Sequence, residues 1–91
     1  MKQVTKKVID PFQELTEAEK RESELLAQIA MTIVEKRTSM GMTQTEFANY
    51  LGVSQAMVYK WESCSYNFTL KSLTKLYASL NLKLEITAIT A

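Results

Sequence analysis

Residues 42–63, MTQTEFANYLGVSQAMVYKWES, hold two short helical patterns joined by a tight turn, and the rest of the 91-residue chain is organised as support for them. Thr43 is suited to N-cap a helix, because its hydroxyl can take up one of the free amides at a helix start. From Gln44 to Leu51 the spacing sets Phe47, Ala48 and Leu51 on one side, which predicts an amphipathic helix of about two turns. Gly52 follows, where a chain leaving a right-handed helix needs a residue tolerant of positive φ, and Ser54 supplies a second N-cap. A turn this short makes the two helices cross steeply. Ala48 is small where the second helix must pass close, and Val58 is apolar where that helix must point back.

On a helical wheel from Ser54 to Ser63, Met57, Val58 and Trp61 share one face, and Gln55, Ala56, Tyr59 and Lys60 share the other. The outer face is polar, lightly charged and carries one aromatic ring. Such a surface suits hydrogen bonding to base edges in a major groove, where a glutamine pairs bidentately with adenine and a lysine reaches guanine acceptors. The competing reading of the same face is a solvated helix surface with no ligand.

This stretch resembles the lambda repressor and Cro family of helix-turn-helix proteins, also called XRE-type. The residues that match are Arg37, Gly41, Met42, Thr43, Gln44, Phe47, Ala48, Gly52, Val53, Ser54, Gln55, Val58, Trp61 and Glu62. With the helix that follows, the likeness covers roughly residues 26–81. It implies that Gln44 opens the first motif helix against a phosphate, beside a Gln55 that reads a base, with Ala56 and Lys60 at the other base-reading positions. Tyr59 completes the base-reading set and lies with Ser54 beside the backbone. Thr43, Gln44, Ser54, Asn67 and Lys71 are the expected backbone contacts. The chain departs from the family pattern at Met57, where a small polar residue is common, at the bulky Tyr59, and at Ser63–Tyr66, which lacks the usual glycine.

Composition sets the outer bounds. A chain of 91 residues makes one domain with a single modest core. Hydrophobic content of 46% beside 23% charged residues is ordinary for a folded protein, and two glycines with one proline favour helix over a turn-rich β fold. No run approaches the ~20 apolar residues of a membrane span, and the first residues lack the apolar core of a secretion signal, so a cytoplasmic protein is expected. With one cysteine, Cys64, and no histidine, a disulfide framework, a zinc site and histidine acid–base chemistry are excluded within one chain. No cofactor or metal is expected. No catalytic constellation assembles from the remaining side chains, so an enzyme is the least favoured class.

The net charge is only +1, although nucleic-acid binders are usually basic. Charge is unevenly spread: residues 1–9 hold three lysines, residues 10–24 six acids against two bases, and residues 67–91 three lysines against one acid. Phosphate neutralisation is therefore modest per subunit, which leaves more of the affinity to helix N-termini and neutral side chains and asks for two subunits.

Outside the motif, residues 1–16 are expected to form an N-terminal arm, with Val4, Val8 and Ile9 among lysines and Pro11 ending the run. Thr16-Glu17-Ala18-Glu19 is a capping box that starts a helix at Glu17. Its continuation to about Ser39 sets Leu26, Ile29, Ala30, Ile33, Val34 and Arg37 on one stripe, and Glu17–Glu24 should project past the core as an acidic extension. A guanidinium in an apolar stripe needs a partner, and Glu62, on the inner edge of the recognition helix, is the natural one; the family resemblance implies the same pair. After a loop through Tyr66–Phe68, Thr69 caps a helix whose Leu70, Leu73, Leu76, Tyr77 and Leu80 share a face. Asn81 can end it in a left-handed conformation.

The period then changes to two. Leu82, Leu84, Ile86 and Ala88 alternate with Lys83, Glu85 and Thr87, which predicts a half-buried strand within residues 82–91. No other segment offers it a partner in the chain, so pairing with the same strand of a second subunit through Leu82, Leu84 and Ile86 is the economical solution. Here the chain is similar to small XRE-type antitoxins of the HigA kind, some of which carry a C-terminal strand.

The expected fold is therefore all-α: a lambda repressor-like helix-turn-helix bundle of four to five helices over residues 17–81, motif 44–63, followed by a short C-terminal β-strand. The expected function is a sequence-specific DNA-binding regulator, a repressor that binds an inverted repeat in double-stranded DNA as a homodimer. An antitoxin that also binds a cognate toxin protein fits within that reading. The rival from another class is a protein-interaction module that uses the same fold without reading DNA.

Overall fold

The computed structural model describes residues 16–90, so the expected arm at residues 1–16 lies outside the described residues except for Thr16. Four helices follow in order: α1 Glu17–Ser39, α2 Gln44–Leu51, α3 Gln55–Glu62 and α4 Leu70–Ser79. This is the all-helical bundle that the periodicities predict.

Each helix starts where a hydroxyl side chain can close its first turn. Thr16, Thr43, Ser54 and Thr69 are the N-caps, each with its side-chain oxygen accepting an amide of the first turn. At Thr16 and Thr43 the capping box is reciprocal, with Glu19 and Glu46 accepting the cap residue's own N–H at 2.9 Å and 2.8 Å. The exits use left-handed residues. Gly52, at φ 73°, turns the chain from α2 into α3, and Asn81, at φ 57°, ends α4 while the Leu82 N–H donates to the Tyr77 carbonyl at 2.8 Å.

The left-handed exit from α3 has neither glycine nor asparagine. Cys64 takes φ 63° just after α3, where the Ser65 N–H reaches back to the Lys60 carbonyl at 3.2 Å. A side chain in this region is strained by roughly 1 kcal/mol relative to glycine. Because Cys64 is exposed and unpaired with any other cysteine, Cys64→Gly is expected to raise stability by about 0.5–1 kcal/mol, less the extra entropy of an unfolded glycine. A thermal melt followed by circular dichroism measures this, and an unchanged or lower midpoint contradicts it.

The core is built where the four helices meet. Phe47, Ile33 and Val58 are fully buried, Ala48 and Leu80 nearly so, and Trp61 and Leu76 complete the cluster, with Ile29, Met57, Phe68 and Leu82 packed around it. Trp61 also lies against Phe68 with ring centroids 6.3 Å apart, and its Nε1 has no hydrogen-bond partner among the described residues. Burial of the indole ring offsets that missing bond.

Two parts of the fold reach past this core. Residues Glu17–Glu24 are all exposed, as an acidic extension should be. The spacing puts Leu70 on the buried face of α4, yet it is 62% exposed, standing at the first position of the helix on the edge of a cleft beside α1. The expected C-terminal strand is also corrected: residues 82–90 form no strand, since a ladder needs a neighbouring strand and none occurs among the described residues. Instead the tail leaves the core by degrees, with Leu82 and Leu84 half-buried and Ile86 exposed. No helix among the described residues is long and apolar enough to cross a membrane.

Candidate nucleic-acid interface

Val58 and Trp61 decide which way α3 faces. Both are buried, at 0% and 7% exposure, so the opposite side of an eight-residue helix must look outward. Gln55, Ala56, Tyr59 and Lys60, the four expected base-reading residues, are all exposed there. Met57 is half-buried and packs against the core, so its departure from a small polar residue is absorbed on the inner side.

The ion pair expected from the stripe is present. Arg37 Nε donates to Glu62 Oε2 at 2.7 Å and Arg37 Nη2 to Glu62 Oε1 at 3.0 Å, a two-bond fork that ties the end of α1 to the end of α3. The remaining terminal nitrogen, Nη1, donates to the Met42 carbonyl at 2.9 Å and so fixes the loop that enters α2. The hydrogen bond to Glu62, aided by its charge and opposed by desolvation, raises the Arg37 pKa above its ordinary value. A cation whose folded pKa is raised contributes stability below its unfolded pKa and loses it as pH rises past the folded one. The Arg37 side of the brace is therefore constant across the physiological range.

From this brace a hydrogen-bonded chain runs to the surface. Gln44, the first residue of α2, donates its Nε2 to Glu62 Oε1 at 3.0 Å, and its Oε1 accepts from Gln55 Nε2 at 2.7 Å. The directions are forced from the inside out. An ionised carboxylate only accepts, so Gln44 turns its NH₂ to Glu62 and its carbonyl to Gln55, and Gln55 in turn presents its NH₂ to Gln44. One N–H and the Oε1 of Gln55 remain unengaged among the described residues. That donor and acceptor are what a glutamine uses on the N7 and N6 edge of adenine.

The expected backbone contacts are placed less uniformly. Thr43 and Ser54 have their oxygens committed to their own caps, which leaves each hydroxyl proton to donate outward. Gln44 is half-buried between Glu62 and Gln55. Lys71, on the first turn of α4, is exposed, and Asn67 borders a cleft between α1 and α4. Sequence reasoning missed the Gln44–Glu62 bond and the anchoring of Arg37 to the Met42 carbonyl. Neither bond had a local signal, since one joins residues 18 apart and the other ends on a main-chain oxygen.

A protein-family model described as helix-turn-helix matches residues 33–86 of the chain, from the last third of α1 to the tail. No curated protein and no solved structure matches it.

Proposed function

We propose that this chain, which belongs to the lambda repressor/XRE-like helix-turn-helix family and is a DNA-binding regulator of that type, acts as a repressor, a homodimer laying two copies of α3 into successive major grooves of an inverted repeat. The observation that carries the reading is the chain of bonds from Arg37 through Glu62 and Gln44 to Gln55, because it holds a base-reading amide rigid before any ligand arrives. Half-sites about 34 Å apart on one side of the duplex would match such a dimer. Its two subunits would be joined through Leu82, Leu84 and Ile86, apolar tail residues that the core covers only in part or not at all.

Within this reading, an antitoxin that also binds a toxin protein has the exposed acidic start of α1 as the surface available to it. That segment contributes nothing to the core or to the pose of α3.

Salt dependence separates DNA reading from the protein-interaction alternative. With Lys60 at the base edges and Lys71 beside phosphate in each of two copies, four cations displace counterions, so log Kd should change with log salt with a slope of about 3.6, a roughly hundredfold loss of affinity between ~50 and ~200 mM. Lys71→Ala should halve that slope. The measurement is a fluorescence-anisotropy titration on duplexes selected from a random pool. Failure to select any duplex, or binding indifferent to salt, would favour the protein-interaction module.

A further inference from the structure

The outer side of α3 is uneven. Val58 and Trp61 turn inward and Glu62 is held by Arg37, so the surface of this eight-residue helix falls to Gln55, Ala56, Tyr59 and Lys60, all of them exposed. Ala56 is the shortest of the four. On a helix its neighbours are the residue beside it and those three and four places on, about 5–6 Å away between Cβ atoms. Gln55, Tyr59 and Lys60 therefore stand around a methyl group and leave a notch one side chain deep, with that methyl as its floor.

Two observations keep the notch open and apolar. Gln55 directs its amide to Gln44 at the start of α2, at 2.7 Å, which draws it toward α2 and not over Ala56. Tyr59 is 58% exposed, the one large apolar side chain of α3 left to solvent, and its ring has no aromatic neighbour among the described residues. A long side chain on a helix covers the turn before its own Cα, so the ring of Tyr59 walls the side of the notch that Ala56 floors.

We propose that this notch takes the C5-methyl group of a thymine; the proposal rests on α3 as the reading helix and names a base that it selects without a hydrogen bond. Of the four bases only thymine carries a methyl group on its major-groove edge, and an apolar side chain in contact with it is how a protein reads it. A methylated cytosine offers the same group, but its N4 amino group needs an acceptor where thymine presents the acceptor O4. The outer side of α3 is richer in donors: Lys60, the Tyr59 hydroxyl and the free N–H of Gln55. The one carboxylate of the helix, Glu62, is turned to Arg37 and Gln44, and the free oxygen of Gln55 is the one suited to adenine.

The test is affinity for a duplex selected from a random pool, remade with each thymine in turn replaced by uracil, which deletes the methyl group and keeps every hydrogen-bonding edge. At one position in each half-site uracil should weaken wild-type binding about fourfold, and roughly fifteenfold when both half-sites are changed, the worth of one and of two buried methyl groups. Tyr59→Ala should bind the thymine and uracil duplexes alike, whereas Tyr59→Phe should still tell them apart. Ala56→Val, which fills the notch, should prefer the uracil duplex. Both residues lie outside the core, and a thermal melt of each variant checks that it is folded. 5-Methylcytosine in place of that thymine should bind less well, and equal binding overturns the choice of thymine. If no uracil weakens wild-type binding, or if Tyr59→Ala keeps the discrimination or Tyr59→Phe loses it, the notch is overturned while α3 stands as the reading helix. A pool from which no duplex can be selected removes both.

Discussion

Glu62→Ala is expected to lower the stability of the domain by roughly 3 kcal/mol, a large part of the total for a domain of this size. The side chains of Arg37 and Glu62 are 16% and 7% exposed, so the guanidinium left behind is largely shielded from water and, among the described residues, keeps only the Met42 carbonyl as acceptor. Gln44 loses its acceptor at the same time. Equilibrium unfolding in urea, followed by helical circular dichroism, gives the value, with the m-value expected to stay constant. The substitution has a second consequence that a purely structural ion pair would lack. Without Glu62, nothing fixes which end of the Gln44 amide faces Gln55, so preference at the base pair that Gln55 is proposed to read should weaken even at a temperature where the variant is fully folded. Glu62→Gln, which keeps the shape and one acceptor oxygen, should lose less of both. A loss below ~1 kcal/mol for Glu62→Ala would mean that the pair is screened as a surface bridge is, and that α3 is held by Val58 and Trp61 alone.

What was legible in the sequence follows the range of the interactions. Thr16, Thr43, Ser54 and Thr69 could be recognised as caps because a cap is settled within three residues. Gly52 and Asn81 announce helix ends by their tolerance of left-handed backbone; Cys64, which does the same after α3, carries no such mark. The Arg37–Glu62 pair spans 25 residues and was still foreseeable, because a charge inside an apolar stripe demands an opposite charge. The neutral amide of Gln44 makes no such demand, so its bond to Glu62 could not be foreseen. Leu70 fits the periodic face of α4, but periodicity does not tell where the neighbouring helices end. The strand expected at residues 82–91 is a non-local object, and alternation alone does not supply the neighbour that a ladder requires.

The other large effect expected concerns recognition rather than stability. Gln55→Ala removes an exposed amide whose only bond within the described chain is to Gln44, so the melting temperature should hardly move. The same change deletes a donor and acceptor pair already aimed outward, and losing one bidentate base contact is worth about 1–3 kcal/mol of discrimination, or roughly 5- to 150-fold in affinity at one base pair of each half-site. The effect should be confined to that position, since Lys60 and the proposed backbone contacts of Ser54 and Thr43 are untouched. Replacing Val58, which is fully buried, would instead change melting and binding together. The most direct test is to select bound duplexes from a random pool with the wild type and with Gln55→Ala, beside thermal melts of both. The account predicts an inverted repeat for the wild type, and for the variant the same repeat with one base pair per half-site relaxed and the melt unchanged. An identical preference in both proteins, or a melting midpoint that falls along with binding, would contradict it.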